Sequence, residues 1–424
     1  MDYQQALNKL NATATNTFNL GLERLVALLE KMGNPQDELK FIHVAGTNGK
    51  GSIVKMLGNI LSASGYRTGL YISPFVLDFK EQLQVDGRMI FPEEFAQCAS
   101  FVFDLIDFND PERPTQYEIQ TAIAFEWYRR CGCDLVCLEV GLGGQDDATN
   151  VIKTAILHII SSISLDHQDI LGETIYEIAT KKAGIIKTGP TILYPLQDRV
   201  AMDVIAKKCE SQKSELVIPD LNKLDTGNGE GWGNDFVYEG QSYHKSLNGQ
   251  IQIYNCLTVI EAIKKLTELG YPVAIDSVRQ GIANTWFPAR MEMISFDPTV
   301  ILDGSHNPAG ARALADFLGQ FSHRKITIVM GVLKDKDYET LLEYLAPLAD
   351  RFLAVAPDNH RALPAVELAL VARDYCNKVF SYDDNFEAIG QALNNQKEDE
   401  VLVVCGSLYL AGQVRPWLLG NKTK

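Results

Sequence analysis

Short apolar runs alternate with segments of helical periodicity through most of the chain. Between residues 41 and 220 the runs, each typical of a buried strand, are Phe41–Ala45, Thr68–Ile72, Asp134–Val140, Ala155–Ile163 and Thr191–Tyr194. Apolar residues at helical spacing fill the intervals, as in Ile119–Arg130 and Thr174–Ala183. This alternation predicts an α/β fold in which a mostly parallel sheet carries helices on both faces.

A second alternation of the same kind begins near residue 299. Its predicted strands are Thr299–Leu302, Lys325–Met330, Phe352–Val355, Lys378–Tyr382 and Glu400–Val404. The helical patterns among them include Ala309–Phe321 and Tyr338–Ala349. We therefore predict two domains, residues 1–293 with the larger sheet and residues 294–424 as a smaller Rossmann-like α/β domain. The glycine-rich stretch 226–235 is predicted to be a turn or loop between antiparallel strands.

Composition narrows the classes of protein to consider. A length of 424 residues favours two domains, and a net charge of −15 argues against a nucleic-acid-binding surface, although not against an anionic substrate. The eight cysteines form no complete zinc pattern and are expected to be buried thiols. Residues 1–4 lack a signal-peptide pattern, and no apolar run has membrane-spanning length. These features predict a reduced cytoplasmic protein with no membrane partner.

The segment from Gly46 to Ser52, Gly-Thr-Asn-Gly-Lys-Gly-Ser, follows the first predicted strand and precedes a predicted helix over Ile53–Ser64. Glycines allow backbone N–H groups to approach phosphate oxygens, and Lys50 adds positive charge. The N-terminus of the helix favours the same anion. The segment predicts a triphosphate site, against the alternative of a plain glycine turn between strand and helix.

One carboxylate and one imidazole side chain lie at the carboxyl ends of two other predicted strands. Glu139 lies at the carboxyl end of one strand, and His167 follows another within Ser164-Leu-Asp-His-Gln-Asp169. Ligands bind at this end of parallel sheets, so both side chains are candidate metal ligands. The residues alone leave open that Glu139 caps a turn beside flexible glycines and that His167 binds no metal.

Two further segments carry candidate chemistry. Lys181 and Lys182 end a predicted helix, where they could simply complement the helix dipole. Asp303, His306 and Asn307 follow the strand Thr299–Leu302, just before a predicted helix. Polar groups at that strand end are expected to face the first domain across a cleft.

Together these segments resemble the folylpolyglutamate synthase and dihydrofolate synthase family, a branch of the Mur-ligase-like ATP-dependent amide ligases. The resemblance covers essentially the whole chain. It rests on Gly46–Ser52, Ser73-Pro74, Glu139–Gly144, Asp147–Asn150, Leu165–His167, Lys182–Lys187, Pro288–Arg290, Asp303–Pro308 and Gly406–Leu410. The order and spacing of these segments are specific, whereas no single one would be decisive.

The resemblance implies a role for each matching position. The implied ATP-binding residues are Thr47, Asn48, Gly49, Lys50, Gly51, Ser52, Asn255, Arg290 and Asp303. The implied catalytic residues are Lys50, Lys182, Arg290 and His306, with Lys182 carbamylated. The implied ligands of magnesium, of which the family uses two ions, are Ser73, Glu139 and His167. The implied pteridine-side contacts are Gln116, Tyr117, Glu118, Asp147 and Ala148.

The chain departs from the family pattern at three places. Gln145-Asp146 stands where Arg-Leu is common, Phe79–Leu83 replaces a Phe-Asn-Glu-Arg-Ile loop, and Ser305 replaces an alanine. The first two departures are expected beside the folate pocket. They leave the ATP chemistry intact and put the pterin preference in doubt.

The implied reaction is ATP-dependent addition of L-glutamate to the carboxylate of a reduced folate through an acyl phosphate. The residues leave open whether dihydropteroate is accepted as well. The expected partners are ATP, glutamate and folate, and the expected state is a monomer. A Mur-type ligase of cell-wall precursors is the first alternative. A P-loop NTPase that switches partner binding is the second, and it would hydrolyse nucleotide without folate or glutamate.

Overall fold

The computed structural model describes residues 1–14, 21–227, 234–397 and 399–420. The backbone separates into two compact units. Unit 1 comprises Met1–Ser164, Gln168–Leu224 and Tyr254–Thr285, and unit 2 comprises Leu165–His167, Asp225–Ile253 and the chain from Trp286 onward. The domain boundary that the sequence predicts between residues 293 and 294 stays a prediction.

The helices of the described residues are given in chain order. They are α1 Tyr3–Asn11, α2 Glu23–Lys31, α3 Lys50–Ala63, α4 Pro92–Phe103, α5 Gln116–Cys131, α6 Gln168–Leu171, α7 Ile175–Ala183, α8 Arg199–Gln212, α9 Ile251–Glu268, α10 Ile275–Ala283, α11 Pro308–Leu318, α12 Tyr338–Leu345, α13 Ala365–Ala372, α14 Asn385–Asn394 and α15 Leu408–Gly420. None of them combines the length and the apolar composition that a bilayer span requires.

The strands of the described residues follow the same numbering. They are β1 Phe41–Ala45, β2 Thr68–Tyr71, β3 Leu83–Val85, β4 Arg88–Met89, β5 Leu135–Glu139, β6 Ala155–Ile160, β7 Thr191–Leu193, β8 Leu216–Val217, β9 Leu224–Asp225, β10 Asp235–Tyr238, β11 Gln241–His244, β12 Glu292–Phe296, β13 Thr299–Leu302, β14 Lys325–Met330, β15 Arg351–Ala354, β16 Val379–Ser381 and β17 Glu400–Cys405.

Unit 1 is built on an eight-stranded sheet in the order β4-β3-β2-β5-β1-β6-β7-β8. The six strands from β2 to β8 in that order are parallel, and only β3 and β4 pair antiparallel at one edge. All five residues of β1 and of β5 are buried, as continuous apolar strands in a covered parallel sheet should be. The carboxyl ends of β1, β5 and β6 therefore meet at one edge of the sheet.

Unit 2 contains a six-stranded sheet in the order β12-β13-β17-β14-β15-β16. Its strands are parallel except for β12, which pairs antiparallel with β13. A three-stranded sheet in the order β11-β10-β9 is separate from both. The large parallel sheet and the smaller α/β sheet confirm the predicted fold class.

Several predicted bounds differ from the structure by a few residues, and two of these differences have a clear local reason. Helix α3 begins at Lys50 rather than Ile53, because Gly49 adopts a left-handed backbone conformation (φ 88°) and starts the helix directly. Strand β6 ends at Ile160 rather than Ile163, because Ser161–Ile163 leave the sheet and contact the glycine loop after β1. Within the predicted glycine-rich loop, residues 228–233 lie outside the described residues.

Candidate active site

The loop between β1 and α3 turns at two glycines that no other residue could replace without strain. Gly46 has φ 145°, and a Cβ there would lie 1.9 Å from Ser161 Oγ. Gly49 has φ 88°, and a Cβ there would lie 2.7 Å from Asn255 Oδ1. The backbone therefore approaches its neighbours more closely than any side chain would permit.

The segment after β6 holds this loop in place. Thr47 N–H donates to Ser162 O at 2.7 Å, and Thr47 Oγ1 lies 3.1 Å from both the N–H and the carbonyl oxygen of Ser164. Ser162 Oγ donates to Asn48 O at 3.2 Å. Thr47 and Asn48 are thus fixed by residues more than one hundred positions away in the chain.

Two lysines point at the backbone of the loop. Lys50 Nζ donates to Gly46 O at 3.1 Å and to Thr47 O at 3.2 Å, and within the described part of the chain it forms no ion pair. Lys182, which is buried, donates to Gly46 O at 2.7 Å. Gly51 and Ser52 lie buried in the first turn of α3, where N–H groups lack helical partners. This arrangement concentrates positive charge at a strand end and suits a polyphosphate.

Glu139 ends β5 next to this loop's strand. Its carboxylate is 4% exposed and accepts the Ser73 N–H at 3.2 Å. The Glu139 carboxylate, and the hydroxyl that Ser73 carries, are oxygen ligands of the kind that Mg²⁺ prefers, so these residue types fit a magnesium site. His167 belongs by its contacts to unit 2. The described residues contain no group of three or more His, Cys, Asp or Glu side chains poised for a metal, and the ligand set stays a prediction.

The residues predicted to contact the pteridine occupy the start of α5. Glu118 is committed to other partners: it forms an ion pair with Arg24 at 3.0 Å and accepts the Thr115 N–H at 2.6 Å. Gln116 donates to Asn11 at 2.9 Å. The Tyr117 hydroxyl lies against Gly141, where a Cβ would meet it at 2.5 Å. Glu118 therefore anchors the helix, and Tyr117 packs against the loop that follows β5.

Asp147 organises that loop. Its carboxylate accepts the N–H groups of Leu142 at 2.8 Å and Thr149 at 3.0 Å, and the Thr149 hydroxyl at 2.5 Å. Burial raises the pKa of Asp147, while these hydrogen bonds oppose the rise. Ala148 follows at the start of a short 3-10 turn and is buried. Asp147 is therefore an oriented acceptor.

In unit 2, Asp303 follows β13 and is 2% exposed. Its two carboxylate oxygens accept the N–H groups of Met291 and Ser305, each at 2.8 Å. Arg290 donates to Ala289 O at 3.1 Å and stacks over Phe287, with the guanidinium carbon 5.2 Å from the ring centroid. Asp303 thus fixes the backbone next to Arg290 and the start of the segment that leads to His306.

His306, Asn307, Asp166 and Lys336 form a charged group that we name the Asp166 cluster. Lys336 Nζ lies 2.8 Å from Asp166 Oδ1, and Asn307 Nδ2 donates to Asp166 Oδ2 at 2.9 Å. His306 Nε2 is 3.9 Å from the same carboxylate. Burial raises the pKa of Asp166, but Lys336 and then His306 outweigh it and hold that pKa well below its usual range. Burial and Lys336 lower the pKa of His306 to about 4, so the ring is neutral near pH 7.

Sequence reasoning missed Asp166 and Lys336. Asp166 lies next to His167, and only His167 was predicted to have a role. Lys336 lies in the run Lys334-Asp-Lys-Asp337, which is typical of a solvated turn. Its ion pair nevertheless leaves the lysine side chain only 8% exposed and the aspartate side chain 9% exposed. No signal in a single sequence links two residues 170 positions apart.

Comparison with known proteins now defines the class. Residues 44–263 match the Mur ligase middle domain, and residues 289–408 match the Mur ligase glutamate ligase domain. The nucleotide loop lies within the first match, and Asp303 and His306 lie within the second. The protein is thus an ATP-dependent amide ligase.

Similar proteins identify the branch of the amide ligases to which the chain belongs. The chain is 36% identical to the folylpolyglutamate synthase of Lacticaseibacillus casei, over 94% of this chain and 95% of that protein. It is 32% identical to the dihydrofolate synthase/folylpolyglutamate synthase of Bacillus subtilis, over 97% and 98%. The chain therefore belongs to the folylpolyglutamate synthase and dihydrofolate synthase family. The family, the ligase class and the ligase activity predicted from the sequence are confirmed.

Solved structures agree with this assignment. Mycobacterium tuberculosis folylpolyglutamate synthase complexed with ADP superposes with a TM-score of 0.89 at 29% identity, covering 98% of both chains. Escherichia coli FolC in complex with DHPP and ADP gives a TM-score of 0.87 at 26% identity, covering 100% of this chain and 99% of that one. These ADP complexes support ATP as the co-substrate.

Proposed function

We propose that this chain adds L-glutamate to the carboxylate of a reduced folate, and also to dihydropteroate, with ATP as the energy source. The observation that carries the proposal is the loop after β1, where Lys50 donates to two backbone carbonyls and, among the described residues, pairs with no carboxylate, in a chain that matches folate ligases over nearly its whole length. ATP, glutamate and the folate are the small-molecule partners, and no nucleic acid is involved.

In the first step the acceptor carboxylate attacks the γ-phosphate of ATP, which gives an acyl phosphate and ADP. Phosphoryl transfer of this kind depends on positioning and on neutralising negative charge. Lys50 and the N-terminal turn of α3, with Gly49, Gly51 and Ser52, would hold the phosphates. Lys50 would then exchange its carbonyl partners for phosphate oxygens, which are stronger acceptors because they are charged.

In the second step the amine of glutamate attacks the acyl carbon, and phosphate leaves after a tetrahedral intermediate. No nucleophile from the protein is needed for this step. We assign His306 to the incoming glutamate or the reacting phosphate, and Asn255, Arg290 and Asp303 to the nucleotide. Because His306 is neutral near pH 7, it offers a ring nitrogen that can accept a hydrogen bond from the attacking amine.

We further assign magnesium to Ser73, Glu139 and His167, as part of a site for two ions. When bound, Mg²⁺ would offset negative charge on the phosphates. We also propose that Lys182 is carbamylated. A carbamate keeps one N–H on Nζ, so the observed donation from Lys182 to Gly46 O at 2.7 Å is compatible with the modification. Electron density at Lys182 in a crystal grown with bicarbonate tests it, and a bare amine there would contradict it.

We also propose that the protein is a monomeric enzyme of the cytoplasm. All eight cysteines are free thiols and seven of them are buried, as expected in a reducing compartment. Gel filtration with light scattering tests the monomer.

ATP-dependent transfer of labelled glutamate is the decisive experiment. Purified protein is supplied with tetrahydrofolate, dihydropteroate or no acceptor. We expect incorporation with both acceptors and none without. ATP hydrolysis that proceeds without folate and glutamate would instead support an NTPase switch, and activity only with a UDP-linked precursor would support a cell-wall ligase.

Two substitutions test the metal assignment in the same assay. Glu139→Ala and His167→Ala are expected to abolish ligation while circular dichroism and the urea midpoint show a folded protein. Folded protein with near-normal incorporation would remove that residue from its role.

A further inference from the structure

A line of hydrogen bonds joins the strand that carries the nucleotide loop to the loop that carries Asp147. His43 lies in the middle of β1, and its Nε2 is 2.9 Å from Thr149 Oγ1. Thr149 Oγ1 is in turn 2.5 Å from Asp147 Oδ1. His43 and Thr149 have no exposed surface, and Asp147 is 5% exposed. Water is therefore not in a position to replace any of these partners.

The partners fix the direction of donation. Asp147 Oδ1 also accepts the Thr149 N–H and Oδ2 accepts the Leu142 N–H, so the carboxylate acts as acceptor in every bond. The hydroxyl of Thr149 has one proton, which goes to Asp147. Its oxygen must therefore accept from His43. It follows that Nε2 of His43 carries a proton.

The neighbouring strand supports this assignment. His158 lies beside His43 in the β1–β6 pairing, and its Nδ1 is 3.2 Å from Gly189 O, so that nitrogen donates. Nδ1 of His43 and Nε2 of His158 are buried and have no hydrogen-bond partner among the described residues. Burial, followed by His158 and Lys187, lowers the pKa of His43 well below its usual range. A neutral His43 is thus the stable form.

We propose that His43 and Thr149 are positioning residues that hold the Asp147 carboxylate in place for the N–H donors of a pteridine ring. The inference rests on the proposed function, in which Asp147 contacts the acceptor substrate. Asp147 receives donors from one side through Thr149 and Leu142. A heterocycle with adjacent N–H groups would complete its hydrogen bonding. The pair therefore governs acceptor binding rather than nucleotide binding.

Thr149→Val removes the hydroxyl and keeps the shape, whereas Thr149→Ser keeps the hydroxyl. Loss of a charge-assisted hydrogen bond to Asp147 is expected to raise KM for tetrahydrofolate about tenfold, with KM for ATP changed by less than about twofold. Thr149→Ser should remain close to wild type. Thr68→Val is the matched control, because Thr68 is also fully buried and its hydroxyl donates to a backbone carbonyl, Tyr66 O, instead of to a carboxylate; it should leave both KM values unchanged.

His43 is tested in the same way. His43→Gln keeps an N–H donor of similar reach, and His43→Leu has none. We expect His43→Leu to raise KM for tetrahydrofolate severalfold and His43→Gln to restore most of the loss. Urea midpoints for every variant separate this effect from general destabilisation, since a loss of stability alone would move KM for ATP equally.

A measurement without turnover tests the geometry itself. Nitrogen-15 NMR of histidine-labelled protein, assigned with His43→Gln, should show His43 as the neutral Nε2–H tautomer. An Nδ1–H tautomer or a charged ring at pH 7 would overturn the proposal, as would Thr149→Val with unchanged KM for tetrahydrofolate. Wild-type protein inactive on every folate would instead overturn the proposed function, and the tautomer would still be measurable.

Discussion

The nucleotide loop and the Asp166 cluster both follow parallel strands, but the partly buried lysine of each has a different kind of partner. Lys50 donates to two backbone carbonyls at 3.1 and 3.2 Å, whereas Lys336 pairs with the Asp166 carboxylate at 2.8 Å. A carbonyl orients an ammonium group but does not neutralise it, while a carboxylate does both. The loop therefore retains charge for a substrate, and the cluster uses its charge to hold itself together.

The titratable groups buried around β1 differ from both of these lysines. Burial lowers the pKa of His158 to about 4, and it lowers the pKa of Lys187 to about 8. In the part of the chain that the structure describes, neither group has a carboxylate partner that would oppose the shift in pKa. Positive charge is therefore disfavoured in the core behind the loop and is concentrated at its phosphate-facing end. Four substitutions test the comparison, from the largest expected effect to the smallest.

Lys50→Ala should lower ligation by about 10³-fold or more, because charge neutralisation at the transferred phosphate is lost. Stability should change by less than about 1 kcal/mol, since only bonds to carbonyls are removed. Labelled-glutamate transfer and urea unfolding measure the two effects. Lys55→Ala, on the same helix and bonded to Gln84, is the control and should stay active. A large loss of stability in Lys50→Ala would break the comparison.

Asp166→Asn should destabilise the protein by about 3–5 kcal/mol, because it leaves Lys336 buried without a counter-charge. Urea unfolding followed by circular dichroism measures the loss. Adding Lys336→Met should recover part of it, since the unpaired charge is then removed. If Asp166→Asn unfolds at the wild-type urea concentration, the cluster does not stabilise the fold as inferred.

The lowered pKa of His158 predicts how the free energy of unfolding depends on pH. Its native pKa of about 4 lies below the unfolded value of about 6.5, so the unfolded chain binds more protons between these values. Stability is therefore full above pH 6.5 and falls as the pH drops towards 4, by about 2 kcal/mol at pH 5. His158→Gln should flatten this part of the profile in urea titrations at pH 7.5 and pH 5. Equal losses in both proteins would exclude His158 as the cause.

Asp146→Asn should have the smallest effect. Asp146 pairs with Lys181 at 2.9 Å, but both side chains are about a third exposed, at 30% and 36%. Exposed pairs of this kind contribute less than about 1 kcal/mol. The urea midpoint should barely move, which makes this variant the matched control for Asp166→Asn. A loss comparable with that of Asp166→Asn would mean that burial does not separate the two pairs.

The sequence predicted the parts of the fold that depend on local pattern. Strands β1, β13 and β14 have the predicted bounds, because each is a continuous apolar run with clear ends. The two-residue strand β4 was not predicted, because two residues carry no periodicity. Strand β12 was not predicted because its register shifts between Met293 and Ser295, so its apolar and polar residues do not alternate regularly. Lys181 and Lys182 looked alike in sequence, yet one pairs with Asp146 near the surface and the other is buried against Gly46 O.

The residues of the candidate site also fall into those that the sequence predicts and those that it does not. The glycine loop, Glu139 and Asp303 follow strands, so their positions could be inferred from the order of elements. Asp166 with Lys336, and His43 with Thr149, are side-chain pairs more than one hundred residues apart. Tertiary packing alone brings such pairs together. The sequence therefore predicts which strand ends carry chemistry, but not which side chains support it.

The bonds from Ser162 and Ser164 to the nucleotide loop have a thermodynamic consequence. Thr47 and Asn48 are held in place by hydrogen bonds to Ser162 and Ser164, which are part of the folded chain itself. The conformational entropy of ordering the loop is thus lost when the chain folds, not when ATP arrives. Binding should then proceed with a small entropic penalty and without a slow rearrangement of the loop. Substitutions at Ser162 would reveal this preorganisation as slower, entropically costlier nucleotide association rather than as loss of a phosphate contact.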